Sequence, residues 1–258
     1  MKVWHMSGAG NDFAVLDARD LQLDYKTLAI DLCARFDTDG FLAVSTSEIA
    51  DFKLLFYNSD GLRGEMCGNG ARCVCKFAYD NGIAGETMTV ETDAGLVYGW
   101  RLGENQYRIR LNNPGVVDLQ RLPDTAYIEL GDPGVPHSVT LCPDLEWESK
   151  DRIKPDFLKV RHNPKFPKGV NVNFYRPLTD SSVKILTFER GVEDFTLACG
   201  TGSASVAAVL WLQGELPQNL LTVENPGGTL EITIEGDRGQ IKDLYLEGPA
   251  ETLKEIQI

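Results

Sequence analysis

The stretch Met66-Cys67-Gly68-Asn69-Gly70, running on through Ala71-Arg72-Cys73-Val74-Cys75-Lys76-Phe77-Ala78-Tyr79-Asp80-Asn81 to Gly82, decides the fold because the chain contains its pattern twice. The second copy is Ala198-Cys199-Gly200-Thr201-Gly202, running on through Ser203-Ala204-Ser205-Val206-Ala207-Ala208-Val209-Leu210-Trp211-Leu212-Gln213 to Gly214. Asn69 to Gly82 and Thr201 to Gly214 are both 13 positions apart. Asn and Thr favour helix N-caps, and glycine favours the position just past a helix end. The spacing predicts two helices of equal length, capped by Asn69 and Thr201, each entered from a cysteine.

The flanks of the two stretches also register. Val90-Glu91-Thr92 begins 23 residues after Cys67, and Val223-Glu224-Asn225 begins 24 after Cys199. Lys53 lies 14 residues before Cys67 and Lys184 lies 15 before Cys199, while Leu111-x-x-Pro114 and Leu246-x-x-Pro249 trail their cysteines by 44 and 47. Each coincidence is weak, and any α+β chain of similar composition could show one of them. Together they indicate a duplicated unit of strands, one central helix and further strands.

Working outward, residues 1–17 read as strand, glycine-rich turn (Gly8 to Asp12) and strand, and Tyr25 to Ala34 has helical spacing. Phe41–Val44, Phe52–Tyr57, Thr87–Glu91, Leu96–Arg101 and Tyr107–Leu111 read as strands, and Asn112-Asn113-Pro114-Gly115 ends that series. In the second half Ser138–Leu141, Asn171–Tyr175, Val183–Phe188, Leu221–Glu224, Leu230–Ile234, Gln240–Ile241 and Leu244–Leu246 read the same way.

The chain has 258 residues, 25 Lys plus Arg against 38 Asp plus Glu, and a net charge of −13. That balance argues against nucleic acid or an anionic membrane as partner, while leaving room for a locally positive site that takes a small anion. No signal-length apolar run opens the sequence and no stretch is long enough to span a bilayer, so a cytoplasmic protein with reduced cysteines is expected. The six cysteines are Cys33, Cys67, Cys73, Cys75, Cys142 and Cys199. No CxxC spacing occurs, Cys73 and Cys75 point in different directions on a helix, and His5, His137 and His162 are remote in sequence, so no metal is expected.

Cys33, Cys73, Cys75 and Cys142 fit the usual place of free cysteine, the core. Cys67 and Cys199 differ because they occupy equivalent places in the two copies. Helix N-termini carry unsatisfied N–H groups and a partial positive charge, which suits a carboxylate. Two such ends converging on a substrate carboxylate would set one thiol on either side of the adjoining carbon. That arrangement suits inversion at an α-carbon, one thiolate removing the proton while the opposite thiol supplies another. Bringing a thiol from about 8.5 to about 7 requires about 2 kcal/mol of differential stabilisation, within reach of one or two helix ends.

At these residues the sequence resembles the diaminopimelate epimerases, pyridoxal-independent enzymes of lysine and peptidoglycan-precursor synthesis. The matches are Gly8-x-Gly10-Asn11-Asp12-Phe13, Tyr57-Asn58-x-Asp60-Gly61, Glu65-Met66-Cys67-Gly68-Asn69-Gly70-x-Arg72-Cys73, Pro136-His137, Gly169-Val170-Asn171-Val172, Glu189-Arg190-Gly191, Ala198-Cys199-Gly200-Thr201-Gly202, Pro226-Gly227-Gly228 and Gly248-Pro249-Ala250. The resemblance implies an α/β (α+β) fold of two pseudo-symmetric domains, each a barrel-like, mostly antiparallel sheet around a central helix, with the active site in the cleft between them. Placed on this chain, the domains are residues 1–112 with 250–258, and residues 113–249. It implies Cys67 and Cys199 as the two bases, no cofactor, a small amino-acid substrate and a possible homodimer. The N–H groups of Gly68, Asn69, Gly200 and Thr201 would hold the reacting carboxylate. Asn11, Asn58, Asn171, Glu189 and Arg190 would read the far amino-acid head, and His137 with Glu189 would tune the thiols.

Three departures stand out. Gly134-Val135-Pro136-His137 replaces the common Gly-Asn-Pro-His, the loop Arg35-Phe36-Asp37-Thr38-Asp39-Gly40 is about two residues shorter than usual, and the gap from Arg190 to Cys199 is one residue longer than in many members. They leave the cysteines untouched and bear on the substrate. The leading expectation is epimerisation of diaminopimelate. The alternatives are a related racemase of another amino acid, such as histidine, and a non-catalytic binding relative.

Overall fold

A computed structural model describes every residue except Glu65, Pro133 and Arg238, so Glu65 of the first cysteine motif lies outside the described residues. The chain forms two compact units, Met1–Arg110 with Glu247–Ile258, and Leu111–Leu246.

In the first unit the elements are β1 (Lys2–Gly8), β2 (Asn11–Asp17), α1 (Tyr25–Phe36), β3 (Gly40–Ser45), β4 (Phe52–Asn58), β5 (Arg63–Gly64), α2 (Gly68–Asp80), β6 (Thr87–Thr92), β7 (Gly95–Arg101) and β8 (Gln106–Leu111). The second contains β9 (Pro114–Leu122), β10 (Thr125–Gly131), β11 (Gly134–Leu141), α3 (Lys150–Arg161), β12 (Asn171–Thr179), β13 (Ser182–Glu189), β14 (Asp194–Thr196), α4 (Gly200–Gln213), β15 (Leu220–Asn225) and β16 (Gly228–Glu235). β17 (Asp243–Pro249) leads back to the first unit, where β18 (Glu251–Gln257) ends the chain.

The duplication is written in the strand pairing. In the first unit β1 pairs antiparallel with both β18 and β2, β2 runs parallel to β3, β3 antiparallel to β4, β4 parallel to β6, and β6 antiparallel to β7. In the second, β10 pairs antiparallel with β9 and β11, β11 runs parallel to β12, β12 antiparallel to β13, β13 parallel to β15, and β15 antiparallel to β16. The match extends to single residues. Lys53 faces Glu91 in the first unit and Lys184 faces Glu224 in the second, as their common spacing from the cysteines requires.

Each sheet wraps round one helix. α2 touches β1, β2, β3, β4, β7 and β18, and α4 touches β10, β11, β12 and β16. A helix surrounded by sheet must be buried on every side, and α2 is buried from Gly68 through Ala78, α4 at Gly200 and from Gly202 through Trp211. α1 and α3 cover other faces of their sheets. Leu32 and Cys33 of α1 pack with Leu16 and Phe41, and Ile153 and Phe157 of α3 pack with Phe174 and Leu186. Among the described residues no helix is long and apolar enough to cross a membrane.

Two sequence expectations need correction here. Gln240–Ile241 is not a strand: Gln240 N–H bonds to Asp237 O and Lys242 N–H to Glu235 O, which turns the chain between β16 and β17. The central helices are also capped two residues earlier than expected. Cys67 (φ −130°, ψ 121°) and Cys199 (φ −120°, ψ 107°) are themselves the N-caps, since both Gly68 and Gly200 are already helical. Asn69 and Thr201 therefore lie inside the first turn. At the far end Asn81 caps α2, and Gly214 caps α4 in the left-handed conformation, φ 77°.

Candidate active site

With a cysteine as N-cap, each central helix places its sulfur at the helix end. The first intrahelical bonds are Ala71 N–H to Cys67 O at 2.8 Å and Ser203 N–H to Cys199 O at 2.9 Å. Ahead of them, the N–H groups of residues 68–70 and 200–202 point out of the helix, where a cap or an anion must meet them. Each cysteine thus stands at the positive end of a helix, with its sulfur beside a row of backbone donors. Cys67 makes no side-chain capping bond, whereas Cys199 Sγ accepts from Gly202 N–H at 3.3 Å and lies 3.5 Å from Thr201 Oγ1. Cys67 is half-buried and Cys199 buried. Cys73 and Cys75 lie wholly inside, and burial pushes both thiols up, Cys75 to about 12, which suits packing and not proton transfer.

In the first unit the structure gathers Asn11, Asn69, Arg72 and Asp39 on one side of the α2 end. Asn69 Nδ2 donates to Asn11 Oδ1, Arg72 NH2 to Asn69 Oδ1 at 2.9 Å, and Arg72 NH1 to Gly68 O at 3.3 Å. Asp39 Oδ2 accepts from Asp12 N–H at 2.9 Å and from Asn11 Nδ2 at 3.3 Å. Asn11 is thereby set at the β1–β2 turn, while Asn58 stands exposed at the end of β4, its N–H and Nδ2 both donating to Leu62 O. Arg72 is fully buried and burial draws it down to about 10, so it remains a cation beneath the helix end. Sequence reasoning gave Arg72 no role, because a charged side chain reads as exposed unless a partner is visible.

The second unit gathers Asn171, Asn173 and His137. Residues two apart on a strand share a face, so Asn171 and Asn173 of β12 act together. Asn171 Nδ2 donates to Pro136 O at 3.1 Å, and its Oδ1 accepts from Arg190 N–H at 2.8 Å. Asn173 Nδ2 donates to Ser138 O at 2.8 Å and meets His137 Nδ1 at 3.2 Å, while its Oδ1 accepts from Thr187 Oγ1 at 2.9 Å. With that amide orientation His137 Nδ1 accepts and the ring proton sits on Nε2, a buried donor without a hydrogen-bond partner. Arg190 is exposed beyond the end of β13, with NH1 donating to Lys168 O at 2.8 Å. Asn173 was not singled out from the sequence, although the Asn-x-Asn alternation after Gly169 was the available signal.

The strand registers also fix what Val135 replaces. Phe13 faces Gly40, and Gly40 faces Asn58, five residues beyond Lys53. His137 faces Asn171, and Glu189 lies five residues beyond Lys184. Counting two residues back along each strand matches Asn11 of the first unit with Val135 of the second. At this equivalent strand position one unit thus carries an amide and the other an isopropyl group.

Burial, and after it the charge of Arg190, push His137 down to about 3. The folded ring therefore stays neutral where an unfolded histidine, near 6.5, takes up a proton. Between about pH 6.5 and 3 the unfolded chain binds more protons, so the stability linked to His137 is complete above pH 6.5. It falls as pH drops towards 3, by up to about 1.4 kcal/mol per unit. The ring resonances of His137 are expected to keep their neutral positions in NMR down to pH 5. A midpoint near 6.5 would show that the ring is hydrated.

A duplicated sheet wrapped round a helix is an architecture shared with solved epimerase-type structures. A hydroxyproline epimerase from Agrobacterium vitis superposes with a TM-score of 0.71 at 16% identity, covering 100% of this chain and 90% of that one. A phenazine biosynthesis protein of the PhzF family from Bacillus anthracis gives 0.76 at 16% identity, covering 100% and 98%. Within this fold class the chain belongs to the diaminopimelate epimerase family, whose model matches residues 3–109 and 131–253, and is thereby an isomerase. The diaminopimelate epimerase of Aquifex aeolicus is 36% identical over 96% of this chain and 94% of its own length. That of Flavobacterium psychrophilum is 32% identical over the whole of both.

Proposed function

We propose that this protein interconverts LL- and meso-2,6-diaminopimelate in the cytoplasm, as a step of lysine and peptidoglycan-precursor synthesis, with Cys67 and Cys199 as its two bases. The observation that carries the reading is that each copy of the duplicated unit presents one cysteine as the N-cap of its central helix. A thiolate takes the α-proton and the C–H electron pair moves into the carboxylate as an enediolate. The second thiol then protonates the opposite face, leaving thiol and thiolate exchanged between the two residues. Helix-end N–H groups at Gly68, Asn69, Gly200 and Thr201 stabilise the charge as it develops. No step asks for a cofactor.

Asn11, Asn58, Asn171, Glu189 and Arg190 recognise the second amino-acid head, Arg190 taking its carboxylate and Glu189 its ammonium. Asn171 works at least partly by holding Pro136 and Arg190 in place, since its amide already bonds to both. His137, neutral and with a free Nε2–H, tunes a thiolate by donating a hydrogen bond and not by carrying charge.

Val135 supports a second reading, a racemase of another amino acid. Incubation in D2O with LL-diaminopimelate and a panel of L-amino acids that includes histidine separates the two. The expected result is deuterium at the α-carbon of diaminopimelate together with formation of the meso isomer. Exchange confined to another amino acid would sink the leading reading in favour of the second. No exchange with any substrate would indicate a binding protein.

A further inference from the structure

The second unit holds a charged cluster that the reaction scheme does not use. Glu129 of β10 is 5% exposed, an uncommon place for a carboxylate unless it is paired. Tyr127 Oη donates to its Oε1 at 2.5 Å, and Lys168 Nζ reaches its two oxygens at 3.2 and 3.1 Å. Burial raises Glu129, but the Tyr127 hydroxyl and the Lys168 ammonium outweigh it and leave the carboxyl below its ordinary value. Glu129 is therefore a fixed anion at the base of the segment between α3 and β12.

That segment carries the seat of Arg190. The residue whose ammonium sits on Glu129 is the residue whose carbonyl accepts from Arg190 NH1 at 2.8 Å. Next to it, Gly169 has φ +70°, and a Cβ there would stand 3.1 Å from Arg190 Cδ and 2.8 Å from Arg161 NH1. The backbone thus lies directly against the guanidinium stem. A further anchor holds the upstream end, where Arg121 NH1 donates to Lys165 O at 3.2 Å and the Phe166 ring packs on Tyr127 at 5.5 Å between centroids. On the other side Asn171 Oδ1 holds Arg190 N–H. Among the described residues Arg190 Nε and NH2 have no protein partner, which leaves them for a ligand.

We infer that Glu129 is a positioning residue for substrate recognition, setting the Arg190 guanidinium through Lys168 so that it meets the far carboxylate of the substrate. The inference rests on the proposed role of Arg190. A planar fork recognises a carboxylate only when its plane and reach are fixed. Glu129 supplies that fixity from inside the sheet, without touching substrate.

The test is steady-state kinetics with LL-diaminopimelate on Glu129→Gln, Lys168→Met, Lys168→Arg, Arg190→Lys and the double variant Glu129→Gln/Arg190→Lys, with melting temperatures alongside. Glu129→Gln keeps the shape and the Tyr127 contact but removes the charge under Lys168. Expected are a KM raised about tenfold with kcat within about twofold for Glu129→Gln and Lys168→Met, and recovery in Lys168→Arg. In the Arg190→Lys background Glu129→Gln should add nothing, the signature of residues acting through one another. A raised KM in Arg190→Lys but not in Glu129→Gln would overturn the inference while sparing the role of Arg190. So would additive effects, or loss of kcat in step with melting temperature. An unchanged KM in Arg190→Lys would remove the role of Arg190 and this inference with it.

Discussion

Replacing either Cys67 or Cys199 by alanine is expected to lower the interconversion of LL- and meso-diaminopimelate by about 10³-fold, the scale of one positioned proton-transfer group. The scheme needs both thiols in every turnover, because the α-proton leaves one face and returns on the other. The two single losses should therefore be similar, and the double variant should be little worse than either, as for groups that act as one unit. Serine variants separate chemistry from folding. Cys199 Sγ accepts the Gly202 N–H, and serine is a better N-cap acceptor than most residues, so Cys199→Ser should fold at least as well as the parent. Its hydroxyl is far too weak an acid to supply a base near neutral pH. Cys75→Ala offers the contrast: Cys75 is fully buried on the side facing Gly99 of β7, and its loss should change stability and not rate. Deuterium incorporation and product isomers read by NMR measure all of these, and normal turnover by either alanine variant would refute the two-base scheme.

The second large effect is expected from a single methyl group. A Cβ at Gly202 would stand 2.3 Å from Asn173 Oδ1, 3.1 Å from Thr187 Oγ1 and 3.2 Å from Cys199 Cβ. No side chain can sit so close to a buried amide oxygen, so Asn173 must move. Moving it breaks the bond from Thr187 and the contacts to Ser138 O and His137 Nδ1. Overpacking and disrupted buried hydrogen bonds together should cost on the order of 3 kcal/mol in Gly202→Ala. The same shift displaces the cysteine cap, so kcat should fall beyond what the loss of stability explains. Urea unfolding and kinetics well below the melting temperature distinguish the two losses. A variant with parental stability and rate would show that the α4 end yields more easily than its packing implies.

The central helices were legible because a Gly-x-Gly opening and a closing glycine bracket each of them at the same spacing. α3 was not. Pro155 lies inside it, only Ile153 and Phe157 are buried, and the rest of its surface is polar, so neither periodicity nor propensity singles it out. β9 escaped for a related reason: Pro114-Gly115 read as a terminator, yet proline is tolerated at the first residue of a strand. The cysteines were legible through repetition, since position in a duplicated unit carries information that an isolated motif lacks. Asn173 and Glu129 were not, because their partners His137 and Lys168 lie far away in sequence, and Arg72 was not, because a charged side chain reads as exposed. The N-caps were misplaced by two residues, because Asn and Thr are good caps in general and the cysteines took that place here.

The crossed ends of the two units have a consequence for synthesis. β9 follows β8 along the chain but pairs with β10 in the next unit, and β18 follows β17 but pairs with β1, more than 240 residues earlier. As the polypeptide leaves the ribosome, the second unit has all its strands once residue 246 has emerged. The first must wait for residues 247–258, with one edge of β1 lacking its neighbour in the meantime. An open strand edge invites pairing with other chains, and pairing distant in sequence is slow to form. The portion translated first is thus the portion completed last, and truncation near the C-terminus damages the half that holds Cys67.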